Sequence, residues 1–133
     1  MTPVWVDTNI LLRFLTNAPV EQARRARELM RRAAQREITL IVPVVVLAEI
    51  VWVMRSVYGH PPKTVADALR SLVAAEGVAV ENDEVVFDAL DLFAERTVDF
   101  ADAYLVASAA RRGEAVATFD ADLQKMGARV FSV

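Results

Sequence analysis

Short strand-like runs alternate with longer helical patterns along the whole chain. The runs are largely apolar and mostly rich in β-branched residues, and they are Val4 to Val6, Ile38 to Val42, Val78 to Val80, Ala115 to Thr118 and Arg129 to Ser132. The third run is the weakest of the five. Because strands that alternate with helices and are apolar on both faces are typical of a covered parallel sheet, the pattern predicts an α/β fold. We expect a three-layer α/β/α sandwich with a mainly parallel sheet of four to five short strands, in one domain over residues 1–133.

Apolar residues at helical spacing predict which helix faces are buried. One such face follows Pro19 and consists of Val20, Ala23, Ala26, Met30 and Ala33. A second follows Asn82, which we interpret as an N-cap, and consists of Val86, Ala89, Leu90 and Phe93. Arg111, Arg112 and Gly113 indicate the end of a later helix, since glycine accepts the left-handed conformation that closes a helix.

The stretch LIVPVVVLAEIVWVM, residues 40–54, contains one ionisable residue, Glu49, among apolar neighbours. The stretch is too short for a membrane span of about 20 residues, and it is interrupted by Pro43, so we interpret it as buried core. If a helix begins after Pro43, Glu49 lies in its second turn. A buried carboxylate there needs a nearby cation or a shared proton, and either a metal ion or an arginine is a candidate.

Composition narrows the classes of function. The chain has no cysteine, which excludes disulfides and thiolate metal sites and suits a reducing cytoplasm. We do not expect export, because MTPVWVDTN has no positively charged region and no long apolar segment. A net charge of −3 argues mildly against unaided nucleic-acid binding, while an apolar content of 55% suggests that some apolar surface meets a partner.

Two aspartates follow predicted strands. Asp7 follows the first run in VWVDTN, and Asp120 follows AVAT in ATFDADL. Because ligands gather at the carboxyl ends of parallel strands, we expect both at one edge of the sheet. Ordinary structural roles remain open: Asp7 could cap a helix beginning at Thr8 or Asn9, and Asp120 and Asp122 could be turn residues.

Two more aspartates begin an alanine-rich helix in TVDFADAYLVASAARR. Asp99 and Asp102 are three residues apart and therefore share a face, although they could also be the N-cap and third residue of that helix. Carboxylates brought together repel one another, so the combined set implies a counter-charge. Hard oxygen ligands suit Mg²⁺, and Mn²⁺ would also fit. With no cysteine and a single histidine, His60, a zinc site is not expected.

Four segments occur in a specific order: VDTNILL, a lone glutamate in an apolar helix after a strand and a proline, DFADAYLVASA, and ATFDADL. This order resembles the PIN domain, and especially VapC-type toxin ribonucleases, over essentially the whole chain. The resemblance implies that four carboxylates surround Mg²⁺, namely Asp7, Glu49, Asp102 and Asp120. It also matches Asp99 to a second acidic residue beside the third carboxylate, and Asn9 and Thr118 to supporting polar residues.

The resemblance further implies a Mg²⁺-dependent endoribonuclease, in which Asp7 and Asp102 hold the metal and Glu49, Asp120 and Asp99 act less directly. The metal would lower the pKa of a bound water that attacks the RNA phosphate. A VapC-type protein is expected to be the cytoplasmic toxin of a toxin–antitoxin pair, to form a homodimer, and to bind a cognate antitoxin. Leu123 stands where the family often has an aromatic residue, so the choice between Asp120 and Asp122 is open.

Clustered arginines could bind RNA phosphates in spite of the negative net charge of the chain. Six of them lie between Arg24 and Arg36, and Arg25, Arg32 and Arg36 share one helical stripe. With Arg13, which follows Asp7 closely, they are candidate RNA contacts, although a solvated helix face is the ordinary interpretation of such a stripe.

Two other classes of protein share parts of this pattern. A phosphoryl-accepting α/β domain also places aspartates at strand ends with Mg²⁺, but VDTN lacks the second aspartate of the phosphatase DxD motif. A catalytically silent PIN-like interaction module would keep the carboxylates for structural reasons.

Overall fold

A computed structural model describes residues 1–96 and 98–133. These residues form seven α-helices, which are α1 (Thr8–Thr16), α2 (Val20–Ala34), α3 (Val44–Ser56), α4 (Pro62–Val73), α5 (Asp83–Glu95), α6 (Phe100–Arg112) and α7 (Ala121–Lys125). They also form five strands, which are β1 (Thr2–Trp5), β2 (Ile38–Val42), β3 (Val78–Val80), β4 (Val116–Ala117) and β5 (Val130–Phe131). Strands and helices alternate along the chain, so the predicted α/β class is confirmed.

All strand pairing is parallel, as predicted. In one sheet the order is β1-β2-β3, with Val4 opposite Leu40 and Leu40 opposite Val78. In the other sheet β4 pairs with β5. The chain forms two compact units, residues 1–83 and 84–133, and each contains one of the two sheets. The expectation of a single domain over residues 1–133 stays a prediction.

The first unit is built around β2, the central strand of its sheet. Ile38, Leu40 and Val42 alternate with less buried neighbours and are themselves almost completely buried. Helix α2 packs on β2, α1 packs on α2 and α3, and α4 contacts α3 and β3. Each of these helices contributes apolar side chains from one face, because a 3.6-residue period brings positions three and four apart to the same side. The sheet and its helices thereby fix where β1 ends.

The second unit has its own small apolar core. One buried cluster consists of Val106 of α6, Val116 of β4, Leu123 of α7 and Met126, the residue that ends α7. Phe93 of α5 and Phe100 of α6 meet edge to face, with ring centroids 6.4 Å apart. At the surface, the Arg111 guanidinium donates to carboxylates of α5 at Asp88 and Glu84, which ties α5 to α6. This core positions the start of α6 and the turn before α7.

The sequence predicted several boundaries of these elements, whereas β1 begins and ends earlier than predicted and β4 and β5 are shorter. Strands β2 and β3 have the predicted limits, and α6 ends at Gly113, whose φ of 65° is left-handed as expected. Asn82 does precede α5, but its φ of 55° is left-handed rather than the extended conformation of a usual N-cap. The prediction for Val20 was wrong: its side chain is 80% exposed, because it lies at the first position of α2, before the helix packs on β2.

The apolar stretch of residues 40–54 is divided at Pro43 into the end of β2 and the start of α3. Proline has no backbone N–H and fixes φ, so it fits the N-terminal boundary of a helix. Within residues 1–96 and 98–133, no helix combines the length and the apolar character that crossing a membrane requires.

Gly77 makes a close backbone approach in the first unit. It has a φ of 81°, and its carbonyl accepts a hydrogen bond of 2.8 Å from Leu40 N just before β3 begins. A Cβ atom at this position would lie 2.1 Å from the Ala33 carbonyl oxygen at the end of α2. Only glycine therefore allows β3 to enter the sheet beside the end of α2.

We expect Gly77→Ala to destabilise the protein more than Gly59→Ala does. Gly59 has a similar φ of 69° but open space around it, so alanine there should lose only about 1–2 kcal/mol for the left-handed backbone. The Gly77 variant adds a clash with backbone atoms and should exceed that loss. Urea unfolding followed by circular dichroism measures both, and equal losses would contradict the close approach.

Candidate active site

Asp7 lies at the junction between β1 and α1. The preceding residue, Val6, is buried and its N–H donates to the Ile41 carbonyl at 3.1 Å, which continues the strand ladder up to Asp7. Asp7 then caps α1, because its Oδ1 accepts a hydrogen bond of 3.1 Å from Ile10 N. The predicted capping role is confirmed. The cap occupies Oδ1, and Oδ2 has no protein donor within the described part of the chain.

Beside Asp7, helices α1 and α2 enclose a pocket of about 450 Å³ in the first unit. One side of it is formed by Asp7 with Asn9 and Arg13 of α1, and the other by Gln22 and Arg25 of α2. The structure therefore brings together four of the predicted site residues. Sequence reasoning missed Gln22, although its spacing of three residues from Arg25 places both on the same face of α2.

The arginines around α2 differ in their partners, and Arg27 donates to the neutral Asn17 Oδ1. Four of them each form an ion pair with a glutamate at 2.5 to 3.2 Å, and these are Arg24, Arg31, Arg32 and Arg36. Arg25, by contrast, has no hydrogen bond or ion pair to any residue that the structure describes. Arg13 donates from Nε to the neutral Gln22 Oε1 at 2.8 Å. The predicted stripe of RNA contacts thus contains one arginine of the pocket, Arg25, and two that are ion-paired elsewhere.

In the second unit, Asp102 lies in the first turn of α6 and is half-buried. Burial raises the pKa of Asp102, and the negative charges of Asp99 and Asp120 raise it further. Asp99 occupies the N-cap position of α6, but its side chain makes no capping hydrogen bond. The predicted N-cap and third positions are therefore correct, while the carboxylate of Asp99 is not used by the helix.

Asp120 is held by its own turn. Its backbone N–H donates to Thr118 Oγ1 at 2.9 Å, and its carboxylate accepts from Asp122 N at 2.9 Å as the cap of α7. Asp122 instead lies 3.6 Å from Lys125 Nζ in a surface ion pair. Since Asp120 is among the charges that raise the pKa of Asp102, it is the better candidate of the two, and Thr118 is the group that orders its turn.

Glu49 differs from its prediction. Helix α3 does begin after Pro43, but Glu49 is exposed, on the same face as Val45 and Trp52, which are also exposed. The buried stripe of α3 lies on its other side and consists of Leu47, Ile50, Val51 and Met54. The expectation of a buried carboxylate was wrong, because an apolar stretch can leave one face of its helix in solvent. Glu49 is also not among the residues that line the pocket of Asp7.

The donor chemistry fits a hard divalent cation. The candidate ligands are all carboxylates. Burial, and then the negative charges of Asp99 and Asp120, raise the pKa of Asp102, and a bound cation would offset both effects. Over residues 1–96 and 98–133, no three acidic or histidine side chains are close enough together to hold a metal ion by themselves.

Comparison with known proteins adds the family. The PIN domain family matches residues 4–129, which is nearly the whole chain. PIN domains are generally nucleases and typically use divalent metal ions. No curated protein shows significant sequence similarity to the chain.

We expect Asp102→Asn to stabilise the protein at neutral pH. The folded state raises the pKa of Asp102 above the ordinary value of 3.8, so ionisation costs more in the folded than in the unfolded chain. This penalty is absent well below pH 3.8, grows as the pH rises towards the folded-state pKa, and is complete above it. The gain in melting temperature should therefore be present at neutral pH and vanish in strong acid.

Asp122→Asn is the matched control, since Asp122 is exposed and paired only with Lys125. Its effect on the free energy of unfolding should stay within about 0.5 kcal/mol. If Asp102→Asn destabilised the protein at neutral pH, the electrostatic account of Asp102 would be wrong.

Proposed function

Because the chain belongs to the PIN domain family, we propose that it is a Mg²⁺-dependent endoribonuclease that hydrolyses RNA phosphodiester bonds by activating water. The observation that carries the proposal is the pocket in which Asp7 lies together with Arg13 and Arg25. A carboxylate that can bind a cation lies here next to guanidinium groups that can bind phosphate, and this combination suits metal-assisted phosphodiester hydrolysis. Mn²⁺ would substitute for Mg²⁺.

In this proposal Asp7 and Asp102 hold the ion, and Glu49, Asp120 and Asp99 contribute less directly. When bound, the ion supplies a Lewis acid that makes water a better nucleophile and offsets the charge on the phosphate. This mechanism requires no covalent protein nucleophile.

The chain's own residues prepare the site for this chemistry. The cap at Ile10 N holds the carboxylate of Asp7 in one orientation and leaves Oδ2 for the ion. Thr118 supports the turn that presents Asp120, as groups behind a metal ligand commonly do. Asn9, in the pocket of Asp7, would orient water or substrate by hydrogen bonding. Asp102 must lose its proton to bind a cation, so its raised pKa makes metal binding weaken as the pH falls.

We further propose that the protein is the cytoplasmic toxin of a toxin–antitoxin pair, that it forms a homodimer, and that a cognate antitoxin covers the active site with a basic or apolar tail. Support comes from the likeness of VDTNILL and DFADAYLVASA to VapC-type ribonucleases and from an apolar content of 55%. Exposed apolar side chains such as Val45 and Trp52 are compatible with a protein partner.

Asp7→Asn is expected to abolish RNA cleavage without destabilising the fold. Asparagine caps helices about as well as aspartate, so the hydrogen bond to Ile10 N is retained while the charge is lost. Cleavage of labelled RNA in Mg²⁺ should fall by more than about 100-fold, since even residues behind a metal ligand contribute about 10–100-fold. EDTA should abolish cleavage by the unchanged protein.

Asp7→Ala separates the two roles of this residue. It should lose activity in the same way and also lose about 1 kcal/mol of stability, because alanine does not cap. A stable Asp7→Asn protein that cleaves RNA at the normal rate would refute the proposed catalytic role.

The toxin assignment predicts that induced expression in a bacterial host arrests growth. Sequencing of RNA 5′ ends after induction should show new ends at defined positions, and both effects should be absent with Asp7→Asn. Co-expression of a small DNA-binding protein encoded by the adjacent gene should restore growth. Arrest of equal strength with Asp7→Asn would contradict an arrest caused by RNA cleavage.

A further inference from the structure

The pocket beside Asp7 contains two arginines, Arg13 and Arg25, that form no ion pair with any residue among 1–96 and 98–133. Arg24, directly adjacent in sequence to Arg25, pairs with Glu21 at 2.6 Å, and further along α2 Arg31 pairs with Glu28. Arg25 forms no ion pair in the described ranges: Glu21, one turn before it, is bound by Arg24, and the charge of Arg25 makes only the smallest contribution to lowering the pKa of Glu21. An arginine without a carboxylate, close to arginines that have one, is available for an external anion.

Arg13 is also available to bind an external anion. Its Nε donates to Gln22 Oε1 at 2.8 Å, which fixes the plane of the guanidinium without neutralising it. Both Nη atoms are without a partner among the residues that the structure describes. A guanidinium whose two terminal nitrogens are free can bind two oxygens of one phosphate at once, and its restraint by Gln22 reduces the entropy lost on binding.

The space and lining of the pocket suit a nucleotide better than a lone ion. A volume of about 450 Å³ lies within the usual range of about 300–1,000 Å³ for small-molecule sites. Ile10 and Leu29 add apolar surface next to the two arginines, against which a sugar or base can pack. Two guanidinium groups and the single carboxylate of Asp7 leave one net positive charge in the lining.

We propose that this pocket is a subsite for a phosphodiester of single-stranded RNA, with Arg13 and Arg25 binding the phosphate and Gln22 acting as the positioning residue of Arg13. The proposal rests on the proposed nuclease function for its substrate class. The subsite holds one phosphate of the RNA strand next to Asp7. It thereby determines where the RNA backbone lies relative to the carboxylate that is proposed to bind the metal ion. Arg32 and Arg36, which are already paired with Glu37 and Glu76, do not take part.

The test is equilibrium binding of a short fluorescein-labelled single-stranded RNA, measured by anisotropy at several salt concentrations. The protein of 133 residues carries Asp102→Asn, and EDTA is present, so the RNA stays intact and binding does not depend on a metal ion. We expect Arg25→Ala and Arg13→Ala each to weaken binding about tenfold, as expected for a charge-assisted hydrogen bond. Each should also reduce the slope of log K against log salt by about 0.7.

Arg24→Ala is the matched control, because it removes the same charge from the adjacent position outside the pocket, and it should change affinity less than about twofold. Gln22→Ala should weaken binding less than Arg13→Ala does and leave the salt slope unchanged, since no charge is lost. Circular dichroism establishes that each variant is folded, and Arg25→Lys, which keeps the charge, should retain the salt slope but not the full affinity.

Three outcomes overturn the subsite: no detectable RNA binding, equal effects of Arg24→Ala and Arg25→Ala, or an unchanged affinity in both pocket variants. A cleavage assay in Mg²⁺ on the protein without Asp102→Asn separates this result from the nuclease proposal. If the protein cleaves RNA but Arg13→Ala and Arg25→Ala leave the affinity for RNA unchanged, the subsite proposal is wrong and the nuclease proposal stands. If these arginines bind RNA but the protein does not cleave it, the subsite proposal is supported and the nuclease proposal is wrong.

Discussion

The last hydrogen bond of the β1 ladder determines most of what the first unit can do. Val6 donates to the Ile41 carbonyl and is buried, and the chain then leaves the sheet at Asp7. Because Asp7 caps α1 through Ile10 N, the direction of α1 is set at the same residue. That direction turns Asn9 and Arg13 towards α2. One strand end therefore positions a carboxylate and one wall of a pocket together.

Local patterns in the sequence were sufficient for the fold class and several element boundaries. The β-branched run of residues 38–42, the proline at position 43 and the glycine at position 113 each act through the backbone of a few residues, so their effects can be read directly. Capping by Asp7 was also readable, since only the helix that follows it is needed. These features depend on short-range interactions, which a single sequence carries in full.

Features that depend on distant partners could not be read in the same way. The Arg36 guanidinium pairs with Glu76, 40 residues away, which removed it from the stripe that its spacing suggested. Glu49 was expected in the core because its neighbours in sequence are apolar, yet burial depends on which face of α3 meets α1 and α4. Asp102 lies in the first turn of a helix and follows no strand, so strand order alone did not predict that Asp120 acts on its pKa. The assignment of Asp7, Glu49, Asp102 and Asp120 to one metal centre remains a prediction from resemblance.

Both tryptophans of the chain lie in solvent, with Trp5 69% and Trp52 63% exposed. Their indole rings therefore already emit from an aqueous environment in the native state, and loss of the core changes that environment little. Intrinsic fluorescence is a weak indicator of unfolding for this protein but a sensitive one for association. A molecule that covers β1 or the outer face of α3 would shift the emission to shorter wavelength, without any label and with the fold intact.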